Sequence, residues 1–153
     1  GGLPKVQAGQ SNSVDPLHIA SSLTRLNIQR IRCSKPGGTW RDWPEDLQLR
    51  CHRSEKGKSY VSVYGRMRWD DVSPTITTQF FGYGTGRFGH PEQDRALTLR
   101  EGAILQSFPA DYQFIPPNEV VCIRKIARYI GNAVPPRLGE IIGQSIISSL
   151  KDS

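Results

Sequence analysis

Between Leu138 and Leu150 the chain sets Leu138, Ile141, Ile142, Ile146, Ile147 and Leu150 at intervals of three and four. That spacing gathers six large apolar side chains on one face of an α-helix, and Pro135-Pro136 supplies its start. A stripe this apolar has to be covered by something. Gly139 and Gly143, four apart, let such a helix lie close to a neighbour. At 153 residues the chain has room for about one domain, or for one small domain and a piece of another. Part of the cover is therefore expected from a domain not written in this sequence.

A second helix is signalled by Thr98-Leu99-Arg100-Glu101, a capping box in which the Thr hydroxyl and the Glu carboxylate each satisfy a backbone amide. It is expected to stop before Pro109. Gly102 stands where a hydrophobic staple would need an apolar residue. A closer neighbour or a slightly weaker helix is the expectation there.

Hydrophobic residues make up 37% and charged residues 22%, enough for a core and too little charge for a disordered chain. No apolar run approaches the roughly 18 residues of a membrane span, and Gly1 to Gln10 lacks the pattern of a secretory signal. Membrane and export readings are set aside. Cys33, Cys51 and Cys122 are odd in number and far apart, so a disulfide framework is not supported and a reducing, cytoplasmic setting is expected. Cys51 and His52 with His18 and His90 match no usual zinc spacing, and no metal is expected.

Of the 20 cationic residues 14 are Arg, the side chain whose planar fork suits phosphates and guanine edges, and the net charge is +6. The excess is uneven: residues 24–68 carry +7, 69–123 carry −4 and 124–153 carry +3. Nucleic acid is the leading partner, with a solvated basic surface as the bland alternative.

Residues 1–22 are rich in Gly, Ser, Pro and Gln without an apolar period, and read as a linker or hinge. Leu23 to Cys33 fits a short helix or a strand equally. Lys35-Pro36-Gly37-Gly38 is a turn by composition, and Trp43-Pro44 followed by Glu45 and Asp46 looks like a helix start. From Ser59 to Thr78 β-branched and aromatic residues predict two or three short strands, broken near Asp70-Asp71 and Ser73-Pro74. The loop from Phe80 to Phe88 alternates Gly82, Gly84 and Gly86 with other residues, so it can accept unusual backbone angles or admit another backbone. It lacks the context of a nucleotide loop.

Three stretches taken together resemble the C-terminal part of bacterial DNA (cytosine-5)-methyltransferases. The first is Val63-Tyr64-Gly65-Arg66-Met67-Arg68-Trp69-Asp70-Asp71 with Ser73-Pro74-Thr75-Ile76-Thr77-Thr78. The second joins Gly86-Arg87-Phe88-Gly89-His90-Pro91-Glu92-Gln93-Asp94-Arg95 to Leu97-Thr98-Leu99-Arg100-Glu101 and Leu105-Gln106-Ser107-Phe108-Pro109. The third is Ile130-Gly131-Asn132-Ala133-Val134-Pro135-Pro136. The first resembles the end of that family's target-recognition domain, and the others its motifs IX and X.

The resemblance implies that the whole protein transfers a methyl group from S-adenosylmethionine to a cytosine flipped out of a specific duplex site, by attack of a Cys in a Pro-Cys motif. None of Cys33, Cys51 and Cys122 follows a Pro, and no Glu-Asn-Val motif is present, so the chain alone is expected to lack catalysis. The implied fold class is α+β: a small twisted β-sheet recognition domain with long loops over 23–116. A motif X segment with its C-terminal helix, 117–153, would return to a Rossmann-like catalytic domain outside the sequence. By the same resemblance Arg66, Arg68, Thr75, Tyr83, Gly84, Gly86 and Arg87 are the expected DNA-binding residues. Gly131-Asn132-Ala133-Val134 reads as a turn just before a helix start, and Asn132, Ala133 and Val134 are the expected cofactor contacts. Arg95, Arg100 and Glu101 are expected to tie segments together, and Trp69 to anchor a core or hinge. Double-stranded DNA and a catalytic domain of the same protein are the implied partners. A non-catalytic DNA-binding or specificity module is the alternative from another class.

Overall fold

A computed structural model describes residues 2–116 and 119–151. Among them are six α-helices: α1 Arg25–Cys33, α2 Arg50–Arg53, α3 Glu55–Lys58, α4 Leu99–Leu105, α5 Ile123–Asn132 and α6 Pro136–Lys151. The ambiguous stretch after Leu23 is helical. Its cap decides the matter, because the Thr24 hydroxyl accepts the Asn27 amide at 3.2 Å and Ser34 closes the far end on the Arg30 and Ile31 carbonyls. Pro44 precedes a single 3₁₀ turn, Glu45–Leu47.

The expected twisted sheet is not formed among the described residues. Isolated bridges pair Arg66 with Gly89, Gly89 with Ala96 and Ser11 with Ile19, and no ladder extends them among the described residues. The backbone groups of the β-branched stretch are satisfied one at a time: the Gly65 amide by Gly86, Met67 by Gly89, and Arg66 by Gly38. Turn residues at Gly65, Asp70-Asp71 and Ser73-Pro74 recur too often for a second rung to form beside the first. Three loops thus knit around residue 66 in place of a sheet.

Two apolar clusters hold the molecule. In the larger, Phe80, Leu99, Ala103, Ile126 and Ile130 are fully buried where α4 packs on α5. Burying a side chain such as Phe80 contributes about 1.5–3 kcal/mol. The smaller cluster gathers Ile31, Trp40, Trp43, Tyr83 and Ala96. Gly102 is explained here, since a Cβ at that position would collide with the ring of Phe80. The close neighbour, rather than a weak helix, accounts for the glycine.

Residues 2–22, expected as a linker or hinge, pack against the body of the molecule. Leu17 lies in the larger cluster, and buried His18 bridges the Thr98 hydroxyl at 3.0 Å and the Pro4 carbonyl at 2.6 Å. Helix α5 was not anticipated, although Ile123, Ile126, Ala127 and Ile130 carry its period. The stripe on α6 is as the sequence requires, and it faces solvent: Ile141 and Ile142 are each 50% exposed and Leu150 is 73% exposed. The expected boundary between 116 and 117 falls at the end of a described stretch, with residue 117 outside it.

Candidate nucleic-acid interface

Arginines in the recognition stretch divide into two kinds. All five N–H groups of Arg66 are used internally. Nε donates to the His90 carbonyl at 2.9 Å, Nη1 to the Ile31 and Ser34 carbonyls at 3.2 Å each, and Nη2 to the Gln93 carbonyl at 2.9 Å and the Asp94 carboxylate at 3.0 Å. Arg66 is a buried fastener joining α1 to the segment 90–94, and it is not available to DNA as expected. Arg68, two residues on, is exposed and forms no hydrogen bond or ion pair among the described residues, and the same holds for Arg87. Thr75 is exposed beside buried Ile76.

The glycine loop is only partly a surface. Tyr83 turns inward, contrary to its expected DNA contact, and its hydroxyl meets Ser34 Oγ at 2.9 Å. Burial pushes the phenol up to about 12. Gly86 is buried beneath the ring of Phe88, which removes it from the exposed set as well. Gly84 is half-buried, and a Cβ placed there would crowd the Tyr64 ring at 3.0 Å. No glycine of this loop takes a left-handed conformation; that falls to Tyr64, at φ 54°. Its ring packs edge-on against Trp43, His52 and Tyr83. Aromatic contacts, not unusual glycine angles, give the loop its shape.

Beneath the loop lies an ionic frame. Arg95, fully buried, donates to both carboxylate oxygens of Glu101 at 2.7 and 2.8 Å, and Glu101 also accepts the Thr98 amide. Burial pushes the Glu101 carboxyl up, and the hydrogen bonds and charge of Arg95 more than reverse this, leaving it below its ordinary range. Arg100 grips Asp15 at 2.6 and 3.1 Å, tying the N-terminal segment to α4. His90, between Arg66 and Glu101, is lowered to about 4 by burial and next by the charge of Arg95. Trp69 is two-thirds exposed, with Nε1 donating to Glu92, and so anchors no core.

On the other side, Gly131 and Asn132 are the last residues of α5 and not a turn before a helix start. Ala133 caps that helix, with its amide on the Ile130 carbonyl, and Val134 is exposed before Pro135. The Asn132 side chain is exposed and has no partner among the described residues.

No three His, Cys, Asp or Glu side chains among the described residues are grouped to hold a metal ion, and no helix there is long and apolar enough to cross a membrane.

Comparison with known proteins matches residues 6–148 to the model of the C-5 cytosine-specific DNA methylase family. Type II methylase M.HgiDII of Herpetosiphon aurantiacus is 59% identical over 132 residues, covering 86% of this chain and 37% of that protein. Type II methyltransferase M.Eco47II of Escherichia coli is 39% identical over 121 residues, 75% of this chain and 27% of its own length. DNA (cytosine-5)-methyltransferase 3 of Arabidopsis thaliana is 30% identical over an alignment covering 98% of this chain and 12% of its length. The chain therefore spans little more than a third of M.HgiDII and less of the others. With a family match running over nearly all its residues, the chain belongs to the C-5 cytosine-specific DNA methylase family.

Proposed function

We propose that this chain is the DNA-reading and domain-return part of a cytoplasmic DNA (cytosine-5)-methyltransferase of the restriction-modification type. The whole protein moves a methyl group to a cytosine flipped out of a specific duplex site, and this chain chooses the site. The observation that carries the reading is the division among arginines. Arg66, Arg95 and Arg100 are consumed in internal pairs, while Arg68 and Arg87, from the same stretches, stay exposed and unpaired, and Thr75 is exposed as well.

In this reading Arg68 and Arg87 meet phosphates or guanine edges, the Gly84 backbone approaches the duplex, and Thr75 holds the backbone of the flipped nucleotide. Asn132, Ala133 and Val134 fit the amino-acid end of S-adenosylmethionine, because Asn132, the last residue of α5, carries an unpartnered side-chain amide and Ala133 is a small residue between two helix ends. That cofactor supplies the methyl group. The apolar stripe of α6 is covered by the catalytic domain, which also carries the reactive Cys.

Labelled S-adenosylmethionine and duplex DNA test the assignment. The chain alone is expected to incorporate no label, and the full-length methyltransferase containing it to incorporate label readily. Turnover by the chain alone overturns the placement of the nucleophile elsewhere.

A further inference from the structure

The turn between α5 and α6 is held from both sides by two adjacent residues that follow α4. Helix α4 ends with the Phe108 amide on the Ala103 carbonyl at 3.0 Å and the Ser107 amide on the Ile104 carbonyl at 2.8 Å. This paired closure needs a left-handed residue, usually Gly, and Ser107 fills the place at φ 62°. What a serine has and a glycine lacks is the hydroxyl, and its Oγ accepts the Arg137 amide at 3.1 Å.

That amide has no local partner to turn to. Pro135 precedes α6 and Pro136 begins it, so neither offers a capping oxygen on its side chain, and Pro136 has no N–H. The first exposed amide of α6 is thus capped from Ser107, thirty residues away. Gln106 reaches the opposite side of the same turn: Nε2 donates to the Ile130 carbonyl, in the last turn of α5, at 3.2 Å.

We propose that Gln106 and Ser107 are positioning residues for the segment Asn132–Val134, fixing the end of the helix before it and the start of the helix after it. The proposal rests on the reading of that segment as a cofactor contact. A contact made by a short turn is productive only while both its ends are fixed, and misplacement there weakens cofactor binding before it touches DNA binding.

The test uses the full-length methyltransferase, with the KM for S-adenosylmethionine, the KM for DNA and the melting temperature measured for each variant. Ser107→Gly keeps the left-handed backbone and removes the acceptor. Ser107→Asn keeps both, since Asn tolerates that conformation and carries a carbonyl oxygen. Ser107→Gly and Gln106→Leu are expected to raise the cofactor KM about fivefold, the size of a missing cap, with the DNA KM unchanged and the melting temperature lowered by no more than about a few degrees. Ser107→Asn is expected to restore it. If both variants leave the cofactor KM alone while Asn132→Ala raises it, the positioning role is wrong and the turn's role stands. If Asn132→Ala also has no effect, the reading of the turn fails and the proposal with it. A larger fall in melting temperature that Ser107→Asn does not rescue also overturns the proposal.

Discussion

Gly131 and Thr77 meet backbone to backbone: a Cβ on Gly131 would stand 2.5 Å from the Thr77 carbonyl carbon and equally close to the Thr78 nitrogen. The end of α5 is thereby pressed against the segment that carries Thr75. The same close approach joins the surface proposed for DNA to the turn proposed for the cofactor. Gly131→Ala is expected to cost about 1–3 kcal/mol in urea unfolding, because backbone cannot step aside as a side-chain end can. Gly139, with open space around it, is the control. Gly139→Ala is expected to stabilise α6 by up to about 1 kcal/mol.

Arg66 and Arg68 are expected to separate cleanly. Arg66→Gln strands the carbonyls of Ile31, Ser34, His90 and Gln93, while Asp94 keeps Arg32, and should lower unfolding free energy by about 3 kcal/mol or more. Arg68→Gln should leave thermal and urea unfolding unchanged and weaken only the affinity for duplex DNA. Denaturation curves and a binding titration on both variants check this.

His90 sets a pH dependence. Its folded pKa of about 4 lies below the unfolded value of 6.5, so below pH 6.5 the unfolded chain takes up a proton that the folded chain refuses. Stability is full above pH 6.5 and falls as the pH drops toward 4, by about 3 kcal/mol in total. His52 is lowered in the same direction, by burial and then by Arg30, and adds to the loss. His90→Asn keeps an oxygen facing the Glu92 and Gln93 amides, which His90 Nδ1 accepts at 3.1 and 3.0 Å. In that variant most of the slope between pH 6.5 and 4 is expected to vanish from urea midpoints.

The α6 stripe is uncovered in the chain by itself, and apolar area of this kind drives association. Sedimentation velocity is expected to show growth in mass with concentration. Ile142→Glu with Ile146→Glu should return the chain to a monomer.

Features written in local chemistry were legible from the sequence. The Thr98 to Glu101 box and the α6 stripe both involve neighbours within four residues, and both elements are where they were expected. The sheet failed because propensity said which residues like extended backbone, while frequent turn residues decided how few rungs could form. Helix α5 was hidden by Gly131-Asn132, which read as a turn; tertiary contact with Thr77 requires the glycine inside a helix end. Arg66 and Arg68 look alike in one dimension. Only the convergence of four carbonyls and a carboxylate from two separate segments tells the fastener from the free cation.

The salt dependence of duplex DNA binding tests the central assignment most directly. If Arg68 and Arg87 each meet a phosphate, the plot of log affinity against log salt for Arg68→Gln/Arg87→Gln should be shallower by about 0.9 for each phosphate that the protein no longer neutralises, with affinity reduced at low salt. An unchanged slope and affinity in that double variant would contradict the assignment of these two arginines to DNA.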